Sequence, residues 1–278
     1  MEPPVQVYWV PKLGNSEEEY EDAAAFSLED RRFAIADGAT ESSFSDLWAR
    51  SLVRQYTASP PLTPPSSTPL HDWLAPLQTQ WHGSINWERL PWFAEEKAHN
   101  GAFAAFLGLY FLGGDEAPPR PFSFWSWILR RKPRAVGARW HALAVGDSCL
   151  FQVRGDRLLS AFPISESGAF NDRPLLISSN PSRNHPVWEA VQFAEGDCRP
   201  GDVFILGTDA LSKWFLQERE AGKRPWETLV TVQTQAGFAT LVETLRQQHS
   251  LRNDDTTLLQ FTWPVQPPPA GTKGDSEL

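Results

Sequence analysis

Residues 140–162 read WHALAVGDSCLFQVRGDRLLSAF. Three apolar runs, at 140–146, 149–155 and 156–162, are separated by Gly146-Asp147 and Gly155-Asp156. Such pairs signal tight turns, because glycine reaches backbone angles closed to other residues and aspartate bonds nearby N–H groups. The stretch is therefore expected to be an antiparallel meander. Other short strands are expected at 5–10 (VQVYWV), 23–28 (AAAFSL), 31–37 (RRFAIAD), 202–207 (DVFILG) and 256–263 (TTLLQFTW). Helices are expected at 43–57, 91–112, 210–220 and 236–249. Pro91 suits a first helical position, and Leu241, Val242 and Leu245 share one face of the last helix. Strands mostly adjoin strands in sequence while helices come in blocks. That order favours an α+β sandwich of antiparallel sheets over a doubly wound parallel fold.

The chain has 278 residues, 41% of them hydrophobic. A chain of this length buries roughly 75% of its unfolded surface and needs no staple. It carries 25 basic and 34 acidic residues, a net charge of −9, which argues against nucleic acid as a partner. Two cysteines, Cys149 and Cys198, cannot build a disulfide framework or a four-cysteine zinc site. No apolar run approaches the roughly 20 residues of a membrane span, and the first residues lack the pattern of a secretory signal, so a cytoplasmic protein is expected.

Residues 1–263 are expected to form a single domain with two excursions. One is the Pro/Ser-rich loop 58–69, with five prolines; the other is a hairpin insertion at 113–139. A disordered Pro-rich tail is expected at 264–278. Within the insertion, PFSFWSWILRRKPR (121–134) is aromatic and then basic. It offers a contact to a protein or a membrane surface, but its lack of a helical period favours a hairpin with aromatics packed on the body. Among 13 tryptophans, Trp73, Trp81, Trp87 and Trp92 follow the first loop, and both a groove and a filled core would use them.

Chemistry is concentrated where the aspartates fall. Asp37 follows FAIA, Asp147 follows ALAVG and Asp209 follows VFILGT. Asp22 precedes AAAFSL, and Asp254-Asp255 precede TTLLQF. Taken singly, each reads more readily as a turn or cap residue. Together they place carboxylates at several strand tips of two packed sheets, where they would repel one another unless a cation stood between them. Oxygen ligands without clustered Cys or His suit Mg²⁺ or Mn²⁺. Other chemistries have little support. The histidines at 71, 82, 99, 141, 185 and 249 lack metal-ligand spacing, and His99 reads as structural more readily than as a general acid. Ser148 has no neighbouring base, Cys149 reads as a packed hydrophobe, and no glycine-rich phosphate loop or nucleophile elbow is present.

In order, YEDAAAF (20–26), FAIADGAT (33–40), GAFAAFLGLYF (101–111), ALAVGDSCLFQVRGDRLL (142–159), DVFILGTDALSKWF (202–215) and RNDDTTLLQF (252–261) resemble the motifs of the type 2C metal-dependent protein phosphatases. Ala39-Thr40-Glu41-Ser42-Ser43 after the Asp-Gly pair resembles a divergent bacterial branch. The resemblance implies a four-layer αββα sandwich of two antiparallel sheets flanked by helices. It also implies a strand at 101–111, with the preceding helix ending near His99. It further implies two Mn²⁺ or Mg²⁺ ions and hydrolysis of phosphoserine or phosphothreonine in a protein substrate by a water bridging them. Asp37 would bridge both ions and the Gly38 carbonyl would ligate one. Asp209 and Asp254 would hold the other, Glu21 and Asp22 would bind metal-coordinated waters, and Asp147 would lie near a third, weaker position. Asp37, Asp209 and Asp254 are the catalytic set on this reading.

Three departures bear on activity. The phosphate-gripping Arg of the family is replaced by Glu17, which would repel a phosphate. Ala39 stands where some members carry His, and Ala210 replaces the Gly of Ser-Asp-Gly. Lys97, Arg183 and Lys213 are candidate substitutes for the missing cation. The alternative function is a phosphatase-like binding or regulatory module with weak or no catalysis.

Overall fold

Two antiparallel sheets face each other across an interior rich in aromatic side chains. The structure, a computed structural model, describes residues 4–61, 67–113, 138–171, 173–265 and 276–277. Strands β1 (Val5–Val10), β2 (Ala23–Ser27) and β3 (Arg32–Gly38) lead into helices α1 (Ser45–Ala58), α2 (Ser67–Ser84) and α3 (Trp92–His99). Strands β4 (Phe103–Leu112), β5 (Arg139–Val145), β6 (Cys149–Arg154), β7 (Arg157–Phe162) and β8 (Ile177–Ser178) follow. Then come α4 (Val187–Ala190), β9 (Gln192–Asp197), β10 (Asp202–Gly207), α5 (Asp209–Glu220), α6 (Pro225–Val230), α7 (Gln235–Gln247), β11 (Thr256–Thr262) and β12 (Ser276–Glu277).

One sheet has the order β1-β11-β10-β6-β7, and the other β12-β2-β3-β4-β5-β9, with β8 also paired to β4. Between the sheets Phe33 stacks on Phe261 at 4.0 Å and Phe111 on Trp263 at 4.3 Å. Helices α1 and α2 cover the outer face of the larger sheet through Trp48, Leu52, Tyr56, Trp73 and Leu74. Helices α5, α6 and α7 cover the smaller sheet, where Phe151 stacks on Phe215 at 3.9 Å. The layers therefore run helix, sheet, sheet, helix, as the resemblance implies.

A buried polar node adds to the packing between the sheets. Asp202 is fully buried and accepts both Nε and Nη2 of Arg154, at 2.6 and 2.7 Å. Gln152 donates to Asp202 at 2.9 Å, and its carbonyl oxygen accepts the indole N–H of Trp140, from the opposite sheet, at 2.9 Å. Burial alone would raise the Asp202 carboxyl, but Arg154 and the other donors hold it below the usual carboxylate range.

Several expectations need correction. Residues 140–162 are not one meander: β5 lies in the larger sheet and β6 and β7 in the smaller. The Gly155-Asp156 turn closes a hairpin, but Gly146-Asp147 carries the chain from sheet to sheet. The helix expected over 91–112 stops at His99 and becomes β4, as the resemblance implies. The loop expected at 58–69 is shorter than that, because Ala58 still belongs to α1 and Ser67 opens α2. Helix α2, whose interior holds Pro76, stands where only a loop and no helix was expected. Strand β9 and helix α6 were also missed.

Residues 62–66 of that loop and 114–137 of the expected insertion, with the aromatic-basic stretch 121–134, lie outside the described residues. So does most of 264–278, although Val265 is buried and Ser276–Glu277 pair with β2. The tryptophans after the first loop mainly fill the core. Trp73 and Trp81 are buried and donate to the carbonyls of Ser59 and Phe44, whereas Trp92 is 76% exposed. Among the described residues no helix is long and apolar enough to cross a membrane.

Gly108 shows how closely α1 sits on its sheet. A Cβ added there would lie 2.3 Å from the Tyr56 ring, which is itself buried. Gly108→Ala must therefore displace Tyr56 or the strand. The expected loss is about 1–3 kcal/mol, read as a lower denaturation midpoint at unchanged slope. An unchanged midpoint would show that α1 packs more loosely than this.

Candidate metal centre

Strand parity decides which side chains meet. Phe33 and Ile35 of β3 point between the sheets while Ala34 and Ala36 point outward, so Asp37 continues the inward row. Asp22 likewise continues the row of Ala24 and Phe26, and Thr257 that of Leu259 and Phe261. Thr208 follows Phe204 and Leu206, and Asp209 begins α5 directly after it. At this end of the sandwich the inward rows change from aromatic and aliphatic residues to aspartate and threonine.

Threonines knit the site together. Thr257 donates its hydroxyl to Asp22 Oδ2 at 2.6 Å and its N–H to Thr208 Oγ1 at 3.0 Å. The Tyr20 hydroxyl is hydrogen-bonded to the Thr257 hydroxyl. Asp147 arrives from the crossing between sheets. Gly146 has φ of 94°, and a Cβ there would stand 2.6 Å from that of Ala105, so the crossing needs glycine.

The carboxyls feel one another. Burial, and then the charges of Asp22, Asp209, Asp147 and Asp254, hold Asp37 well above the usual range. Burial and then Asp255 raise Asp22. Asp147 is pushed up to about 7, first by burial and then by Asp209. Burial also raises Asp209, against the pull of Arg252. The structure thus brings together Asp22, Asp37, Asp147, Asp209 and Asp254. Glu21 is turned toward α1, where its carboxylate accepts the Ser45 hydroxyl, and Gly38 is buried at the end of β3. Asp255 has a structural task, accepting the backbone N–H of Lys12 at 2.7 Å and of Glu21 at 2.8 Å.

Sequence reasoning missed Arg252. Its Nη2 donates to Asp254 Oδ2 at 2.5 Å and also to Asp209 Oδ2. Of the three substitutes considered, Lys213 lies near enough to act on Asp209, whereas Arg183 donates to Asn100 at 2.8 Å and Lys97 is exposed on α3. Lys12, Lys213, Arg246 and Arg252 line a cleft of about 940 Å³ beside the cluster, between the end of β1, α5 and the loop after α7. His99 stacks on Trp87 at 4.6 Å and lines a different cleft; none of the clustered carboxylates lines either cleft. Glu17 is exposed in a short 3₁₀ turn, and Ala210 is helical, so the change from Gly there strains nothing. Cys149 is buried, its thiol pushed up to about 12 chiefly by burial.

The donor set is oxygen-only, and Asp22 Oδ1 and Asp209 Oδ1 are buried without a hydrogen-bond partner. The chemistry of these donors suits a hard divalent ion. The Asp209–Asp254 edge does not fit a second ion, because a guanidinium joins the pair there. Among the described residues no group of three or more Asp, Glu, His or Cys side chains is drawn into a metal-ligating arrangement.

No family model and no curated protein matches the sequence. Solved structures do match the fold. The catalytic domain of the serine/threonine protein phosphatase PstP, in complex with two manganese ions, has a TM-score of 0.56 and 13% identity over 93% of this chain and 97% of that one. The Mycobacterium tuberculosis serine/threonine phosphatase PstP/Ppp has a TM-score of 0.57 and 12% identity over 94% and 98%. The photosystem II phosphatase PBCP has a TM-score of 0.51 and 13% identity over 94% and 99%. The chain has the fold of the type 2C protein phosphatases.

A carboxyl whose folded-state pKa is raised favours folding only while protonated. Its contribution is complete below about pH 4 and is lost as pH rises through the folded value, about 7 for Asp147. The metal-free protein is therefore expected to melt at a lower temperature at pH 8 than at pH 5. Asp147→Asn should shrink that difference, and so should added Mn²⁺. Calorimetry at both pH values checks it, and a difference untouched by either change would contradict the buried-charge account.

Proposed function

We propose that this chain is a metal-dependent phosphatase of the type 2C kind that removes phosphate from serine or threonine of a protein. The observation that supports this most directly is the set of carboxylates from β2, β3, the β5–β6 crossing and α5, gathered at one end of a type 2C sandwich with two buried oxygens unpartnered. Asp37, Asp22 and Asp209 would hold the ion, with Asp147 beside them and Glu21 turned toward Ser45. A bound Mn²⁺ or Mg²⁺ supplies Lewis-acid activation of water and of the phosphoryl group.

The remaining tasks fall to the chain itself. Lys12 and Lys213 put positive charge on the wall of the adjoining cleft, where the Arg of the family's first motif is absent. A phosphate dianion in that cleft would be drawn toward them and oriented by them. The hydroxyl of Thr257, on the sheet opposite β2, donates to Asp22 and is itself hydrogen-bonded to the Tyr20 hydroxyl. Two buried free thiols agree with a reducing, cytoplasmic setting.

One observation favours a second reading, a phosphatase-like binding module: Arg252 already neutralises Asp209 and Asp254. Hydrolysis of an aryl phosphate and of a phosphothreonine peptide, with and without Mn²⁺, separates the two. The enzyme reading expects Mn²⁺-dependent turnover that falls at least about 100-fold in Asp37→Asn and Asp209→Asn. Binding of Mn²⁺ without turnover of either substrate would leave the module.

A further inference from the structure

We infer that the Arg252 guanidinium is a built-in cation, which holds the Asp209–Asp254 pair in place of a second divalent ion, so that the site takes one ion and not two. The inference rests on the reading that the acidic cluster binds a divalent ion at all.

A single nitrogen, Nη2, reaches one oxygen of each carboxylate, with the Asp254 contact at 2.5 Å. It therefore occupies the spot between two carboxylate oxygens that a bridging cation would need. A guanidinium is charged at every physiological pH, and its forked donors suit carboxylates. The cation is also tethered two residues before Asp254. A group on so short a linker competes at an effective concentration of millimolar or more, against which a free ion must bind. Arg246 fixes the same loop, donating Nη2 to the Asp254 carbonyl at 2.5 Å and Nη1 to the Pro11 carbonyl at 3.0 Å. Arg252 lines the cleft and 48% of its side chain is exposed, so it is not walled in.

The other side of the cluster has no such partner. Asp22 Oδ1 and Asp209 Oδ1 are buried without a hydrogen-bond partner. No described basic side chain hydrogen-bonds to Asp37, and Arg252 reaches it through its field alone. One divalent ion is left to be bound there, between Asp22, Asp37 and the free oxygen of Asp209.

Titration calorimetry of the full chain with Mn²⁺ tests this, paired with electron paramagnetic resonance of the loaded protein. The wild type should bind about one Mn²⁺ per chain and give the spectrum of an isolated ion, and Arg252→Gln should bind about one more. Asp37→Asn should abolish binding in the wild-type background. Equal stoichiometry in wild type and Arg252→Gln overturns the inference, as does a spin-coupled pair of ions in the wild type. The wild-type spectrum serves even if Arg252→Gln fails to fold. Arg252→Lys keeps the charge but lacks the fork, so it should bind Mn²⁺ with the wild-type stoichiometry. A wild type that binds no Mn²⁺ removes the metal reading, and the inference with it. A wild type that binds two leaves the metal reading intact and removes the inference alone.

Discussion

Repulsion among carboxylates sets the terms at the end of the sandwich where Asp22, Asp37, Asp147, Asp209 and Asp254 meet. Each is partly or fully withdrawn from water, and each raises the cost of charging its neighbours. Much of the local architecture is a response to that. Thr257 gives Asp22 a neutral donor, Glu21 turns away to Ser45, Asp255 is occupied by two backbone N–H groups, and Arg252 brings a full positive charge. The carboxylates that remain undersupplied face the same small volume.

The opposite requirement holds in the middle of the molecule. There the inward rows are aromatic, and Phe33, Phe111, Phe204, Phe261 and Trp263 pack within 4.0–5.9 Å of one another, ring centre to ring centre. The buried carboxylate beside this core, Asp202, is held by the fork of Arg154 and by Gln152. A single sandwich thus contains one carboxylate fully satisfied by its own chain and a group of them only partly satisfied. The proposed ion site rests on that difference between the two ends.

The sequence was most legible where a local pattern and the fold agree. Asp37 after FAIA and Asp209 after VFILGT could be placed at strand tips, because the strands before them are unbroken apolar runs. The sheet change at Gly146-Asp147 was hidden, since a turn that crosses a sandwich carries the same residues as one that closes a hairpin. Helix α2 was hidden by Pro76 and the prolines ahead of it, although its buried Leu70, Leu74, Leu77 and Trp81 follow a helical spacing in retrospect. Arg252 was overlooked for a different reason: an arginine in a loop carries no pattern, and its partners at Asp209 are joined to it only by the fold. Its position two residues before the Asp254-Asp255 pair was the available clue.

Gly146 and Asp147 have a mechanical side as well as an electrostatic one. The same two residues that carry the chain from one sheet to the other also deliver a carboxylate to the cluster, and the cluster draws Asp22 and Asp37 from one sheet and Asp209 from the other. The site therefore spans the seam of the sandwich. A cation held there would act as a clasp across the seam, resisting any sliding of one sheet over the other, and a slide would be felt first as a change in the distance between Asp37 and Asp209. On this geometry, binding an ion and stiffening the domain against shear would go together.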